Sequence, residues 1–186
     1  MEQHDSDKVP WSGEADGDLT EERLFLGGDV VVDAGDVTVW MTDCSPDAID
    51  VARANAAGIG RAAAHARFAD GDWFDALPSD LRGELDLVVS NPPYVGVADD
   101  GLEPIVRDWE PPAALFAGAD GLDEIRRLVA GATSWVRPGG WLVVEVGSTQ
   151  GPRVRELLTE AGFDEVGITA DLNGHDRVAT ARRPPP

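Results

Sequence analysis

The sequence predicts an α/β domain: a mostly parallel sheet, covered by helices on both faces and closed by an antiparallel strand pair. Three observations predict it. Short runs rich in Val and Leu alternate with segments whose apolar residues recur every three or four positions, the pattern of strands joined by crossover helices. The last two strand-like runs are separated only by Asp171 to Asp176, too few residues for a parallel crossover, so they pair antiparallel. A length of 186 residues with 42% hydrophobic content suits a single core.

Each element has its own justification. Residues 1–24 hold eight acids, two bases and few large apolar groups, the composition of an acidic flexible tail; a partner-binding arm is the alternative. The α/β pattern begins at Leu24, so the domain is expected over residues 25–183, with Pro184 to Pro186 as a short tail. Val37 to Thr42 reads as a strand. Ser45 can cap the following helix, with Pro46 at its first position and Asp47 near the positive end of its dipole. Ile49, Ala52, Ala56 and Ile59 then form one apolar face. Ala66 to Ala69 is a short strand leading into Asp72-Trp73, and Leu85 to Ser90 is a buried strand. Val95 to Gly118, with Pro104, Pro111 and Pro112, is a long irregular segment expected to cover the strand ends as a lid. Leu122, Ile125, Val129, Ala132 and Val136 mark a helix, and Trp141 to Val146 a strand. Pro152 begins a last helix, buried through Val154, Leu157, Leu158 and Ala161; Val166 to Ala170 and Arg177 to Ala181 are the closing strands.

Composition excludes several functions. Thirty-five acids against fifteen bases give a net charge of −20, which argues against duplex nucleic acid as the main partner. The one cysteine, Cys44, forbids an intrachain disulfide and points to a reducing, cytoplasmic compartment; it is expected to be a packed position rather than a nucleophile. His4, His65 and His175 are scattered without ligand spacing, so no metal is expected. No stretch has the length and apolarity of a membrane span or a leader segment.

The stretch richest in chemistry is Asn91-Pro92-Pro93-Tyr94, directly after the Leu85 to Ser90 strand. Strand carboxyl ends are where open α/β sheets bind ligands. The Asn91 side-chain carbonyl can accept a hydrogen bond from an –NH2 group, and the Pro92 carbonyl is a second acceptor. Neither proline carries a competing N–H. The Tyr94 ring offers a flat, electron-rich face to an amide plane or a cation. The plain alternative is an ordinary proline turn.

With these flanks the chain resembles the HemK/PrmC family of S-adenosylmethionine-dependent methyltransferases, which modify the N5 of glutamine in peptide chain release factors. Beyond the tetrapeptide, the resemblance rests on Asp43-Cys44-Ser45-Pro46-Asp47-Ala48, Arg53-Ala54-Asn55 and Gly71-Asp72-Trp73-Phe74. Downstream it rests on Glu110-Pro111, Ala114-Leu115, Asp120-Gly121-Leu122, Pro138-Gly139-Gly140, Glu145 with Gln150, and Asp171 through Arg177. It covers roughly residues 37 to 183.

The resemblance implies a class I, Rossmann-like methyltransferase sheet, S-adenosylmethionine as cofactor and a release factor as protein substrate. It also implies roles. Asp43 would accept from the ribose hydroxyls, a helix-flanking acid being its alternative. Asp72 would accept from the adenine amino group. Trp73 would pack on adenine, or be plain core. Asn91 and Pro92 would orient the glutamine amide, with Pro93 and Tyr94 completing its site.

One departure stands out. The family's glycine-rich cofactor loop, Asp-x-Gly-x-Gly-x-Gly, is met here only by Asp33 and Gly35, within Val30 to Val39. The next strand then starts at once, leaving no room for a crossover helix. Either two strands pair there as a hairpin, or one of them stands outside the sheet. The family's helical N-terminal domain is absent as well, so the chain reads as a catalytic domain truncated at its first βα unit. Two other functions follow as alternatives: a non-catalytic relative that keeps the fold, and a DNA adenine-N6 methyltransferase.

Overall fold

The computed structural model describes residues 23–26, 37–59, 63–97 and 111–186. Seven strands form one sheet in the spatial order β3-β2-β1-β4-β5-β7-β6. The strands are β1 (Arg23–Leu26), β2 (Thr38–Asp43), β3 (Ala66–Asp70), β4 (Leu85–Ser90), β5 (Val136–Glu145), β6 (Asp164–Ala170) and β7 (Asp176–Arg182). The helices are α1 (Pro46–Ile59), the single turn α2 (Pro112–Leu115), α3 (Asp123–Trp135) and α4 (Gly151–Glu160). Two 3-10 turns, Trp73–Ala76 and Ser79–Leu81, connect β3 to β4.

The strands β3, β2, β1, β4 and β5 run parallel to one another, while β7 runs antiparallel between β5 and β6. The predicted antiparallel ending is therefore present. The hairpin alternative falls on residues 30–36, outside the described residues; the two sides of β2 are taken by β1 and β3, both parallel. The strand that neighbours β2 lies upstream at Arg23, two residues ahead of the expected domain boundary. Residues 27–36, with Asp33 and Gly35, lie outside the described residues, as do residues 1–22.

The sequence dictates α1 as expected. Ser45 Oγ accepts from the Ala48 amide at 3.3 Å, Pro46 opens the helix, and Ile49 and Ala56 are buried. β4 is sandwiched between parallel neighbours and buries Leu85 and Val88 completely. On α3, Ile125, Leu128, Val129, Ala132 and Trp135 face the sheet. They meet Val136, Leu142 and Val144 of β5 and Val154 and Leu158 of α4 in one core. β5 is longer than Trp141 to Val146, because it begins at Val136; the register slips between Leu85 and Leu87 where it joins β4. That core fixes the carboxyl ends of β4 and β5.

Candidate active site

β2 ends at Asp43, β3 at Asp70 and β4 at Ser90, so Asp43, the Gly71-Asp72-Trp73 turn and Asn91 leave the sheet at one edge. Their shared edge is set by parallel pairing alone. Asp43 is exposed, and its Oδ1 accepts from the Ser45 amide at 2.8 Å. Both earlier roles are compatible with this geometry: the carboxylate flanks the helix and bonds the neighbouring Cys44 thiol, yet stays exposed at the strand end. The Asp43 carbonyl accepts from the Gly71 amide at 3.0 Å, which joins the end of β2 to the Asp72-Trp73 turn. A cavity of about 240 Å³ lies between Asp43 and the first turns of α1.

Trp73 adopts φ of 51°, in the left-handed region that bulky side chains rarely enter. The indole N–H donates to Glu124 of α3 at 2.7 Å, and the ring packs half-buried on the core. Arg127, one turn further along α3, donates to Glu124 at 3.0 Å and to Oδ2 of Asp72. Asp72, Arg127, Glu124 and Trp73 thus close a chain of polar contacts between the turn and the helix. The indole edge is committed to α3, leaving a ring face, and Asp72 keeps Oδ1 without a described partner.

Cys44 is exposed, which corrects the expectation of a packed position. The chain has already left the strand there and no element lies over it among the described residues. Partial burial, with the Asp43 and Asp72 carboxylates beside it, pushes the thiol above its ordinary pKa, so it is a poor thiolate nucleophile.

In the tetrapeptide, Asn91 is exposed, Pro92 buried, and Pro93 and Tyr94 half-buried. The two prolines anchor the loop while the amide of Asn91 faces outward. The Tyr94 hydroxyl donates to Glu145 Oε1, at the end of β5, at 2.9 Å. Burial, and then that bond, push the phenol above its usual pKa, with Arg177 pulling the other way. Beyond Tyr94 the chain pairs with the segment before α3. Val95 donates to Leu115 at 2.9 Å, Ala117 to Val95 at 3.0 Å, and Val97 to Gly118 at 3.0 Å. Both ends of the expected lid are fastened there; residues 98–110, with Pro104, Asp108 and Glu110, lie outside the described residues.

Sequence reasoning did not find Glu124 and Arg127, and it singled out Glu145 through the family resemblance without its bond to Tyr94. Glu124 and Arg127 look like an ordinary i,i+3 surface pair, and each of Trp73–Glu124 and Tyr94–Glu145 spans 51 residues. Position is a second signal: Glu145 closes a strand that neighbours the tetrapeptide's strand.

Strand order, the acid ending β2 and the Asn-Pro-Pro-Tyr turn after β4 together define a class I S-adenosylmethionine-dependent methyltransferase fold. A methyltransferase from Pyrococcus furiosus superposes with a TM-score of 0.61 at 15% identity, over 88% of this chain and 75% of that one. No family model matches. Among curated proteins, the release factor glutamine methyltransferase of Xylella fastidiosa (strain 9a5c) is 47% identical over 146 residues, 78% of this chain and 51% of that protein. Its counterpart in Cereibacter sphaeroides is 45% identical over 145 residues, 77% of this chain and 50% of that protein. The chain is similar to these release factor glutamine methyltransferases, of the HemK/PrmC kind, and spans about half the length of the curated relatives it matches.

Proposed function

We propose that this protein transfers a methyl group from S-adenosylmethionine to the side-chain amide nitrogen of a glutamine in a peptide chain release factor, in the cytoplasm, with neither nucleic acid nor membrane as a direct partner. The observation that carries it is the loop after β4. Asn91 is exposed at the sheet edge shared with Asp43, while the prolines and Tyr94 behind it are fixed in packing. Among the described residues no helix is long and apolar enough to cross a membrane.

The donor set suits the cofactor. Asp43 presents an exposed carboxylate beside a cavity, suited to accept from the ribose hydroxyls. Asp72 Oδ1 and the face of Trp73 would serve the adenine. Asp33 and Gly35 are proposed to contribute to the same group. When bound, S-adenosylmethionine supplies an electrophilic methyl group on a sulfonium.

The rest belongs to the protein. An amide nitrogen is a weak nucleophile because its lone pair is delocalised into the carbonyl. Asn91 Oδ1 and the Pro92 carbonyl accept its two hydrogens, raising electron density at nitrogen and aiming it. Pro93 and Tyr94 wall the amide plane, and the Tyr94 ring favours a nearby cation by roughly 0.5–2 kcal/mol. Orientation and fixed dipoles then supply the acceleration without a strong base. The proton leaves nitrogen during or after transfer.

Incubation with release factor and S-adenosylmethionine, followed by mass spectrometry of the peptide holding the Gly-Gly-Gln sequence, tests this. One added methyl on that glutamine is expected. Its absence, with the protein shown to be folded, would overturn the proposal.

A further inference from the structure

Gln150 opens α4 and does not touch the reacting groups assigned above, yet its side chain joins three loops. Its Oε1 accepts from the Gly147 amide at 2.9 Å, in the turn that follows β5. Its Nε2 donates to the Tyr94 carbonyl at 2.9 Å and faces the Asp120 and Gly121 carbonyls at 3.2 and 3.3 Å, in the turn before α3. Two N–H groups shared among three carbonyls make this a bifurcated arrangement.

The surroundings are built around that amide. Gly121 sits at φ of 72°, and a Cβ there would lie 2.2 Å from the Tyr94 carbonyl and 2.8 Å from Nε2. Only glycine lets the turn approach so closely. Asp120 is in turn held by Arg126 of α3, whose guanidinium keeps its carboxyl down at a pKa of about 2. The Gln150 backbone is itself fixed, its N–H donating to Gly147 at 2.8 Å and its carbonyl accepting from Val154 at 2.9 Å. An amide suits the place because it carries a donor and an acceptor together. A carboxylate would set oxygen against three carbonyls, and an ammonium could not accept from Gly147.

Tyr94 is consequently held at both ends, by Gln150 at its carbonyl and by Glu145 at its hydroxyl. We infer that Gln150 is a positioning residue for methyl transfer: by pinning the Tyr94 backbone to the turns before α3 and α4, it fixes the Asn91–Tyr94 loop in the geometry that grips the glutamine amide. This rests on the methyltransferase proposal for its catalytic consequence and on geometry alone for the positioning.

Tyr94 is the chain's single tyrosine, so phenolate absorbance during alkaline titration reports this residue alone. In the unsubstituted protein it is expected to ionise above the usual value of about 10. Gln150→Glu keeps the acceptor for Gly147 and removes every donation. Tyr94 should then loosen from Glu145 and ionise closer to about 10. The kcat for release factor methylation should fall roughly tenfold to a hundredfold, with S-adenosylhomocysteine affinity unchanged by calorimetry. Glu145→Gln calibrates the titration signal, and Thr159→Ala, further along α4, should leave it in place.

An unshifted Tyr94 titration in folded Gln150→Glu, or an undiminished kcat, would overturn the inference. If Gln150→Glu does not fold, Gln150→Met is read in the same way; failure of both to fold would make the residue part of the fold and overturn the positioning role. Should the unsubstituted protein methylate nothing, the functional proposal fails, while the titration still decides whether Gln150 positions Tyr94.

Discussion

Asn91 and Asp43 are both exposed side chains at strand ends, so changing either leaves the packing intact. Asn91→Ala is expected to lower the rate of glutamine methylation about a hundredfold, the scale of losing one preorganised polar contact to a reacting group. Its unfolding free energy should stay within about 0.5 kcal/mol of the parent. Rate assays paired with urea titration check both; a large loss of stability would mean that Asn91 serves the fold instead. Asp43→Ala removes charge-assisted hydrogen bonds of roughly 1.5–3 kcal/mol, so S-adenosylhomocysteine should bind about tenfold to a hundredfold more weakly in calorimetry. Equal affinity would leave Asp43 only its local bonds to the Ser45 amide and the Cys44 thiol. The strand-end positions of these two residues were legible in the sequence because strand ends can be located from apolar runs. The contacts that hold Trp73 and Tyr94 were not legible, since they depend on how α3 and β5 lie over the sheet.

At the scale of elements, α3 and the 3-10 turn after β3 show how closely the pieces fit. A Cβ on Gly131 would lie 2.6 Å from the Phe74 ring. That ring is 5% exposed and stacks on Trp135 with centroids 5.7 Å apart, so it has nowhere to go. Gly131→Ala gains about 1 kcal/mol of helix propensity and is set against roughly 1–3 kcal/mol of overpacking. The steric cost should win, giving a lower urea midpoint with an unchanged slope; a raised midpoint would show that the turn yields. Elements with strong local signals were readable. β4 has the bounds its Leu85 to Ser90 run indicates, and α1 starts at its Ser45-Pro46 signal. β1 was not, because four residues are too few to show a period and its place is set by parallel partners on both sides. The first half of β5 was hidden for another reason. Val136 extends the apolar spacing of α3 and Pro138-Gly139-Gly140 reads as a turn, yet β4 pairs with Val136 and again from Trp141, the residues between them lying at a register shift.

Over the whole molecule the dominant fact is charge: thirty-five acids, fifteen bases and a net −20. Two salt effects oppose each other. Exposed ion pairs such as Arg153–Glu156 and Arg182–Glu165 weaken as salt rises, but each contributes only about 0–1 kcal/mol to begin with. The excess acids repel one another across the folded surface and separate when the chain unfolds, so screening relieves the native state more than the unfolded one. With the Debye length falling from about 10 Å at 0.1 M to about 3 Å at 1 M, the relief should exceed the lost pairing. The thermal midpoint is therefore expected to rise on adding sodium chloride, most steeply below about 0.15 M, where screening is weakest. Scanning calorimetry across that range decides it. Replacing several exposed acids outside these pairs and far from the sheet's carboxyl edge, such as Asp80, Glu84 and Glu160, by their amides should raise the low-salt midpoint and flatten the salt dependence. A midpoint that falls with salt would show that the paired arginines outweigh the repulsion, and that the acidic surface is already balanced in the fold.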